Sequence, residues 1–267
     1  MDLHLSGKAA VVTGASKGIG FAITQALADE GVSVAAGALK GSDELSQLAA
    51  RAAVHPVLAD LSSSDGPAHL VQAAVTAFGG LDLVVNNVGA VRPHIDGFLS
   101  FSEDDWERAI TINFLAAVRT TRAGLPHLLE RGKGTIVTIC SVNAVLPDPT
   151  IIDYCAAKAA LLNFSKALSK EVGPRGVRVN TISPGPVSTA LWLSDDGVAA
   201  TIARATGGEA DAVAKQAATQ SVTGRFTAPQ EVADLVLLLA SDRAGNVTGA
   251  DFVIDGGLIT TVAGGRR

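Results

Sequence analysis

Short apolar runs alternate with longer helical segments along almost the whole chain, and this alternation constrains the fold more than any other feature of the sequence. The runs are rich in Val, Ile and Leu, and they lie at Ala9–Thr13, Val32–Ala36, Val57–Leu58, Leu83–Val85, Thr135–Ile139, Val177–Ile182 and Asp251–Ile254. Near-continuous apolar strands separated by helices are typical of a parallel sheet with both faces covered. The sequence therefore predicts an α/β fold, a doubly wound parallel sheet of about seven strands with helices on both faces.

The segments between the runs have the spacing of amphipathic helices. Apolar residues recur three and four positions apart at Ile19, Ile23, Ala26 and Leu27, which places them on one helix face. The chain has 267 residues, 48% of them hydrophobic, and no linker rich in Pro, Ser or charge. We therefore expect a single domain over residues 1–267.

The composition argues against several kinds of partner. A net charge of −5 and an aromatic content of 4% provide no basic stripe and few stacking platforms, so we expect no nucleic acid. Apolar runs fall far short of the roughly 20 residues of a spanning helix, and the first residues lead into a strand, so we expect no membrane segment or export signal. Five histidines without close spacing predict no metal site. Cys140 and Cys155 fit free thiols in a reducing, cytoplasmic environment.

Residues 187–225 interrupt the alternation. The segment is rich in Ala, is weakly amphipathic and contains Gly197, Gly207, Gly208 and Gly224. It follows a strand, so it lies at the carboxyl edge of the sheet, where open α/β folds bind their ligands. We expect a mobile substrate lid here, and an ordinary pair of surface helices is the alternative.

A glycine-rich turn joins the first strand to the first helix over residues 13–20. Glycine permits the backbone angles of such a turn and lets a pyrophosphate approach the main chain. The helix N-terminus adds unpaired N–H groups and a partial positive charge. The turn therefore predicts a dinucleotide phosphate site formed by Gly14, Ser16, Lys17, Gly18, Ile19 and Gly20.

Tyr154 and Lys158 lie four positions apart in a predicted Ala-rich helix, and Tyr154 is the only tyrosine of the chain. Residues four apart share a helix face, so we expect the phenol and the ammonium to be neighbours. A nearby positive charge favours the phenolate and is expected to lower the pKa of the phenol from about 10. Such a tyrosine can act as a general acid or base at a carbonyl or alcohol oxygen.

The spacing Gly-x-x-x-Gly-x-Gly of the first turn resembles the N-terminal motif of the short-chain dehydrogenase/reductase family, particularly its 3-oxoacyl-acyl-carrier-protein reductase-like members. Asn113, Ser141, Tyr154 and Lys158 match the catalytic tetrad of that family in order and spacing. The resemblance extends over nearly the whole chain. It implies a Rossmann-type fold and an NAD(P)-dependent oxidoreductase acting on CH–OH or C=O groups.

The resemblance also implies a role for each member of the tetrad. Ser141 would hold the substrate carbonyl, and Tyr154 would transfer the proton. Lys158 would lower the pKa of the tyrosine and bind the nicotinamide ribose. Asn113 would connect Lys158 to a proton relay through its helix backbone and a water.

Further cofactor contacts follow from the same resemblance. Residues 60–61 would bind the adenine, residues 86–89 would contact the adenosine, and residues 183–189 would fix the nicotinamide carboxamide. The residues assigned to the cofactor in this way are Asp60, Leu61, Asn87, Val88, Gly89, Pro184, Gly185, Val187 and Thr189, together with Tyr154 and Lys158.

The end of the second strand indicates NADP as the cofactor. An acid there would bond the ribose 2′-hydroxyl and repel a 2′-phosphate, but Ala38 stands near that position. Lys17 in the turn and Lys40 beyond the strand supply positive charge, and in the family a basic residue at the former position tends to accompany NADP. NAD is the alternative, because Leu39 stands where the family usually has arginine.

The substrate is expected at the carboxyl edge of the sheet, beside Ser141. The predicted lining is mostly apolar with one amide, and it consists of Val91, Asn143, Val145, Leu146, Leu191 and Trp192. This lining favours a ketone or a secondary alcohol with a hydrophobic body.

These features predict an NADP(H)-dependent oxidoreductase that reduces a ketone, or oxidises a secondary alcohol, by hydride transfer with Tyr154 as general acid or base. An NAD-dependent alcohol or diol dehydrogenase is the alternative among enzymes, and a catalytically idle dinucleotide sensor is the alternative outside them. The resemblance further implies a homotetramer built through the helices around Asn113 and Tyr154.

Overall fold

Each of the seven apolar runs forms a strand of one parallel sheet in the computed structural model, which describes residues 2–260. Met1 and residues 261–267 of the predicted domain lie outside the described residues. The strands are β1 (Ala9–Thr13), β2 (Ser33–Ala38), β3 (Val54–Leu58), β4 (Leu83–Asn86), β5 (Gly134–Ile139), β6 (Val177–Pro184) and β7 (Asp251–Ile254).

Helices connect the strands. They are α1 (Gly18–Asp29), α2 (Asp43–Ala49), α3 (Gly66–Phe78), α4 (Glu103–Ile110), α5 (Ala116–Glu130), α6 (Ile152–Val172), α7 (Ala190–Leu193), α8 (Val198–Thr206), α9 (Ala210–Thr219) and α10 (Pro229–Ala240). A π-helical turn, Thr111–Leu115, joins α4 to α5 without a break. Short 3₁₀ turns include Val142–Ala144 and Pro149–Ile151 between β5 and α6.

The strand order is β3-β2-β1-β4-β5-β6-β7, so the chain winds outward from β1 in both directions, as the doubly wound prediction requires. The predicted limits of β3 are too short, because the strand begins at Val54 rather than at Val57. β3 is an edge strand that contains Pro56, and only two of its five residues, Val54 and Val57, are buried. An edge strand tolerates proline, and its half-exposed pattern hides it from a search for continuous apolar runs.

Two hydrophobic cores cover the two faces of the sheet. On one face, Ile23 and Leu27 of α1 pack in the same cluster as Val232 and Val236 of α10. The other face is covered by α3, α5 and α6. Full burial of a Leu, Ile or Val side chain stabilises the fold by about 1.5–3 kcal/mol, so these layers fix the sheet firmly.

The segment 187–225 forms three short helices, α7, α8 and α9, rather than a pair. One side of α8 is buried, at Ala199, Ala200 and Ala203. The lid function of this segment stays a prediction.

Candidate active site

Four parallel strands end at one edge of the sheet, and the loops that follow them carry the predicted site. β1 leads into the glycine-rich turn, β4 into Asn87, β5 into Ser141 and β6 into the segment that ends at Thr189. Because carboxyl ends of neighbouring parallel strands meet at the same edge, residues far apart in sequence lie together there.

The glycine-rich turn has the geometry of a phosphate cradle. Gly14 and Gly18 adopt φ values of +68° and +57°, which favour glycine. A Cβ at Gly20 would clash with the carbonyl oxygen of Gly14, so glycine is needed where α1 starts close to β1. In the described part of the chain no side chain caps α1 at Lys17, so its first N–H groups are available to an anion.

A hydrogen-bonded brace joins this turn to the end of β4. Thr13 Oγ1 accepts the N–H groups of Asn87 and Val88 at 2.8 and 3.0 Å. In return, Asn87 Nδ2 donates to the carbonyl oxygens of Thr13 and Gly14 at 2.9 and 3.3 Å. The amide of Asn87, assigned to the cofactor from sequence, is thus occupied in holding the turn.

The predicted 2′-phosphate corner lies between the turn and the start of α2. Ser42 Oγ donates to the carbonyl oxygen of Ser16 at 2.8 Å and also caps α2, which fixes the two loops together. Ala38 is buried, whereas Lys17 and Lys40 are exposed. Positive charge and no acid at the strand end suit a 2′-phosphate.

Asp60 and Leu61, assigned to the adenine, differ in their surroundings. Asp60 is exposed, and its Oδ1 accepts the N–H and the hydroxyl of Ser62 at 2.9 and 2.6 Å. These bonds hold the pKa of the Asp60 carboxyl below its usual range. Leu61 is buried in the same hydrophobic core as Leu70 of α3, so its side chain packs inside the protein.

Asn113 lies in the π-helical turn rather than in a regular long helix. The N–H of Ala116 bonds the carbonyl oxygen of Thr111, five residues back, which is the π pattern. The Asn113 side chain donates to the carbonyl oxygens of Ala90 and Ala109 at 2.8 and 3.0 Å and accepts the N–H of Ala90 at 3.0 Å. Asn113 therefore fastens the loop after β4 to the helix.

Ser141 and Asn143 form a small network at the end of β5. Ser141 Oγ accepts the N–H of Asn143 at 3.1 Å and donates to its Oδ1 at 3.2 Å. Asn143 Nδ2 donates to the carbonyl oxygen of Leu146 at 3.0 Å. Both ends of the Asn143 amide are therefore engaged within the loop.

Tyr154 and Lys158 share one face of α6, as their spacing predicts. Lys158 Nζ lies 5.7 Å from the centroid of the Tyr154 ring. It donates to the carbonyl oxygen of Ile139 at 3.0 Å, and the side chain is buried. Burial lowers the pKa of the Lys158 ammonium, because desolvation penalises the charged form.

The direction of the Tyr154 pKa shift is opposite to the one expected from sequence. Burial raises the pKa of the phenol well above 10, and a hydrogen bond with Ser141 only partly opposes this. Desolvation therefore outweighs the effect on the phenol pKa that was expected from the neighbouring Lys158 charge. The phenol keeps its proton at neutral pH.

Gly89 brings Asn113 and Lys158 to the same place. A Cβ on Gly89 would lie 2.9 Å from Asn113 Oδ1 and 3.6 Å from Lys158 Nζ. Glycine at this position thus lets the loop after β4 pass close to both side chains. Asn113 and Lys158 of the predicted tetrad therefore lie close together across Gly89.

The segment after β6 returns to the glycine-rich turn. The N–H of Gly185 donates to the carbonyl oxygen of Ile254 at 3.0 Å, and Val187 is buried. A Cβ on Gly18 would meet Thr189 Cγ2 at 3.3 Å. Thr189 therefore stands beside the phosphate cradle, and Pro184 ends β6 at the same edge.

The predicted substrate residues lie around the opening of the candidate active site and do not close it. Val145, Leu146 and Leu191 are 58%, 42% and 45% exposed. Trp192 of α7 packs edge-on against Phe226, with ring centroids 5.3 Å apart. Val91 is partly buried in the loop after β4.

Two residues that hold the site together were not predicted. Thr13 braces the glycine-rich turn, and its position directly before Gly14 was a possible signal. Ser42 joins the two cofactor loops, and its position before two acidic residues is typical of a helix N-cap. Sequence spacing does not reveal the groups that these side chains bind, which belong to Asn87 and Val88 for Thr13 and to Ser16 for Ser42.

Residues 2–260 contain no group of three or more His, Cys, Asp or Glu side chains that could hold a metal ion. Within the same residues no helix has both the length and the apolarity that crossing a membrane requires.

Known proteins resemble this chain over nearly its full length. A family model described as Enoyl-(Acyl carrier protein) reductase matches residues 14–259. The 3-oxoacyl-[acyl-carrier-protein] reductase FabG of Thermotoga maritima is 31% identical over 262 residues, covering 96% of this chain and 100% of the relative. The D-threitol dehydrogenase of Mycolicibacterium smegmatis is 37% identical over 264 residues, covering 96% of this chain and 94% of the relative.

A solved structure shares the fold. The L-sorbose reductase of Gluconobacter frateurii, in complex with NADPH and L-sorbose, superposes with a TM-score of 0.89 at 32% sequence identity. The match covers 98% of this chain and 100% of that chain.

Proposed function

Since this chain belongs to the short-chain dehydrogenase/reductase family and is an NAD(P)-dependent oxidoreductase of that family, we propose that it reduces a ketone with NADPH, or oxidises a secondary alcohol in reverse. One observation carries the proposal. A buried lysine ammonium lies 5.7 Å from the ring of the only tyrosine, beside Ser141 and at the same sheet edge as the phosphate cradle.

The chain offers a fitting place for a dinucleotide. The pyrophosphate would lie on the turn formed by Gly14, Ser16, Lys17, Gly18, Ile19 and Gly20. Asp60, Leu61, Asn87, Val88 and Gly89 would surround the adenosine, the first through its side chain and the others mainly through backbone. Pro184, Gly185, Val187 and Thr189 would hold the nicotinamide end. When bound, the nicotinamide supplies or accepts the hydride, and the protein supplies position and proton.

Tyr154 would donate the proton to the carbonyl oxygen during reduction. A phenol whose pKa is raised by burial keeps its proton at neutral pH, which is the form that a general acid needs. Ser141 would hold the same oxygen by a hydrogen bond. The Ser141 side chain opposes part of the rise in the pKa of the Tyr154 phenol, which supports a position from which both groups could reach one oxygen atom.

Lys158 and Asn113 would prepare the tyrosine for the next turnover. The ammonium of Lys158 is near enough to favour the phenolate once the proton has left, and it would bind ribose hydroxyls. Asn113 lies beside Lys158 across Gly89, and its π-helical turn changes the backbone hydrogen bonding there. This supports a relay that returns a proton from solvent through that backbone and a water.

NADPH is proposed over NADH because of the corner at the end of β2. Lys17 and Lys40 are exposed there, and Ala38 stands near the position of a ribose-binding acid. The related L-sorbose reductase was solved with NADPH, which supports the same choice. An NAD-dependent alcohol or diol dehydrogenase is the alternative, since the related D-threitol enzyme is named a dehydrogenase.

A hydrophobic body is proposed for the substrate. Val145, Leu146 and Leu191 present apolar surface at the opening, whereas Asn143 has its amide engaged with Ser141 and Leu146. A polyol would need free polar partners, because unpaired buried hydroxyls weaken binding. The segment 187–225 is proposed to close over this substrate.

We also propose a cytoplasmic homotetramer. Cys140 and Cys155 are free thiols, which suits a reducing compartment. Ala156 and Ala159 are exposed on α6, and small side chains permit close packing of a second helix against this face. An idle dinucleotide sensor is disfavoured, because a sensor has no use for an acid–base pair and a buried lysine is costly.

The test is NADPH oxidation by purified protein against a panel of apolar ketones and sugars. Tyr154→Phe should reduce kcat by about 100-fold or more while the Kd for NADPH changes little, because the substitution removes only the hydroxyl that donates the proton. Phe98→Tyr, which adds a phenol at an exposed position, serves as the matched control. Full activity of Tyr154→Phe would refute the assignment, and the absence of NADPH oxidation with every ketone of the panel would refute the function.

A further inference from the structure

A cluster of hydrogen bonds next to Tyr154 ties down a loop on the substrate side of the site. Cys155 is buried in α6. Its Sγ accepts the N–H of Asp148 at 3.4 Å and donates to the carbonyl oxygen of the same residue at 3.8 Å. One thiol therefore holds both backbone groups of Asp148, which lies in the loop between β5 and α6.

The Asp148 side chain continues the cluster. Its Oδ1 accepts the N–H of Thr150 at 2.8 Å and the hydroxyl of Thr150 at 2.7 Å, which caps the turn Pro149–Ile151. The carbonyl oxygen of Thr150 in turn accepts the N–H of His94 at 2.7 Å. We call these four residues, His94, Asp148, Thr150 and Cys155, the loop clamp.

The loop clamp joins three parts of the site. It connects the helix of Tyr154 to the loop after β5, and that loop to the loop after β4. The first loop carries Asn143 and Leu146, and the second follows Gly89. A shift in this clamp would therefore move the residues proposed to contact substrate without touching the phosphate cradle.

We propose that Asp148 and Cys155 are positioning residues that hold the loop between β5 and α6 in the arrangement needed to bind the substrate. The kinetic part of this inference rests on the proposed ketone reductase function. Neither residue touches the reacting atoms; they act through the loop that bears Asn143 and Leu146.

The chemistry of Cys155 suits this role. Burial raises the pKa of its thiol, so the S–H is retained at neutral pH and can donate to the Asp148 carbonyl. The hydroxyl of Cys155→Ser can make both hydrogen bonds, whereas the methyl group of Cys155→Ala can make neither. Asp148→Asn keeps the Oδ1 acceptor for Thr150, whereas Asp148→Ala removes it.

The kinetic experiment compares these matched variants. Cys155→Ala and Asp148→Ala should each raise the KM for the ketone about fivefold, which corresponds to about 1 kcal/mol for a lost hydrogen bond. Cys155→Ser and Asp148→Asn should stay near wild type, and the KM for NADPH should stay within about twofold in all four variants. Equal KM values for the Ala and the conservative variants would overturn the inference.

Amide hydrogen exchange of the full chain tests the loop clamp independently of activity. In Cys155→Ala, amides of residues 142–151 and of His94 should exchange faster than in wild type, and in Cys155→Ser they should not. Unchanged exchange in Cys155→Ala would refute the clamp even if the enzyme is active. Absence of any ketone reduction by wild type would refute the proposed function, while the exchange result would still decide the clamp.

Discussion

The ionisation of Tyr154 gives a quantitative test of how the site is built. Burial raises the pKa of this phenol above its ordinary value of about 10. Between about pH 10 and the raised pKa, the unfolded chain has lost the phenolic proton and the folded chain still holds it. The folded state then binds more protons than the unfolded state, so the free energy of unfolding must fall as pH rises.

The size of the effect follows from linkage. One proton of difference changes the free energy of unfolding by about 1.4 kcal/mol per pH unit. The unfolded phenol is half-ionised at pH 10, so wild type should lose about 1 kcal/mol of stability relative to Tyr154→Phe between pH 10 and pH 11. Lys158 and the two thiols also titrate in alkali, but they are present in both proteins, so the difference isolates the phenol.

The assay is urea unfolding of both proteins at pH 9, 10 and 11, followed by tryptophan fluorescence. Absorbance near 295 nm gives a second measure, because Tyr154 is the only tyrosine and Tyr154→Phe provides the blank. A parallel pH dependence of the two proteins would refute the reasoning. So would half-ionisation of the folded phenol at or below pH 10, which would mean that Lys158 dominates over burial.

Three further outcomes are expected. Gly20→Ala should destabilise the protein by about 3 kcal/mol or more, because its Cβ would clash with the Gly14 carbonyl; a change in Tm below a few degrees would contradict the geometry. Lys40→Gln should raise the KM for NADPH about threefold to tenfold at low salt and leave the KM for NADH unchanged. Lys170→Gln, a control at an exposed position of α6, should change neither KM. Asn113→Ala should lower kcat by about tenfold or more and release the loop at Ala90, seen as faster amide exchange there; unchanged kcat would remove Asn113 from the relay.

The family and the sheet are readable from the sequence because they depend on local patterns. Apolar runs of β-branched residues need only their own composition to form buried strands, and all seven were located. Tyr154 and Lys158 share a face because helix geometry fixes neighbours four apart. The glycine-rich turn is visible because positive φ and close approach at Gly14 and Gly20 exclude other residues.

Other properties depend on what surrounds each group, and only the tertiary structure decided them. The sequence places a cation one helical turn from Tyr154, yet the phenol's pKa rises because desolvation by the surrounding protein penalises the phenolate. In the same way, Asn113 lies in a π-helical turn and Asn143 has both ends of its amide engaged, although neither residue type reveals this. Desolvation and hydrogen-bond partners come from segments distant in sequence. Local patterns therefore identify the reacting groups but not the environment that sets their protonation state and their hydrogen bonding.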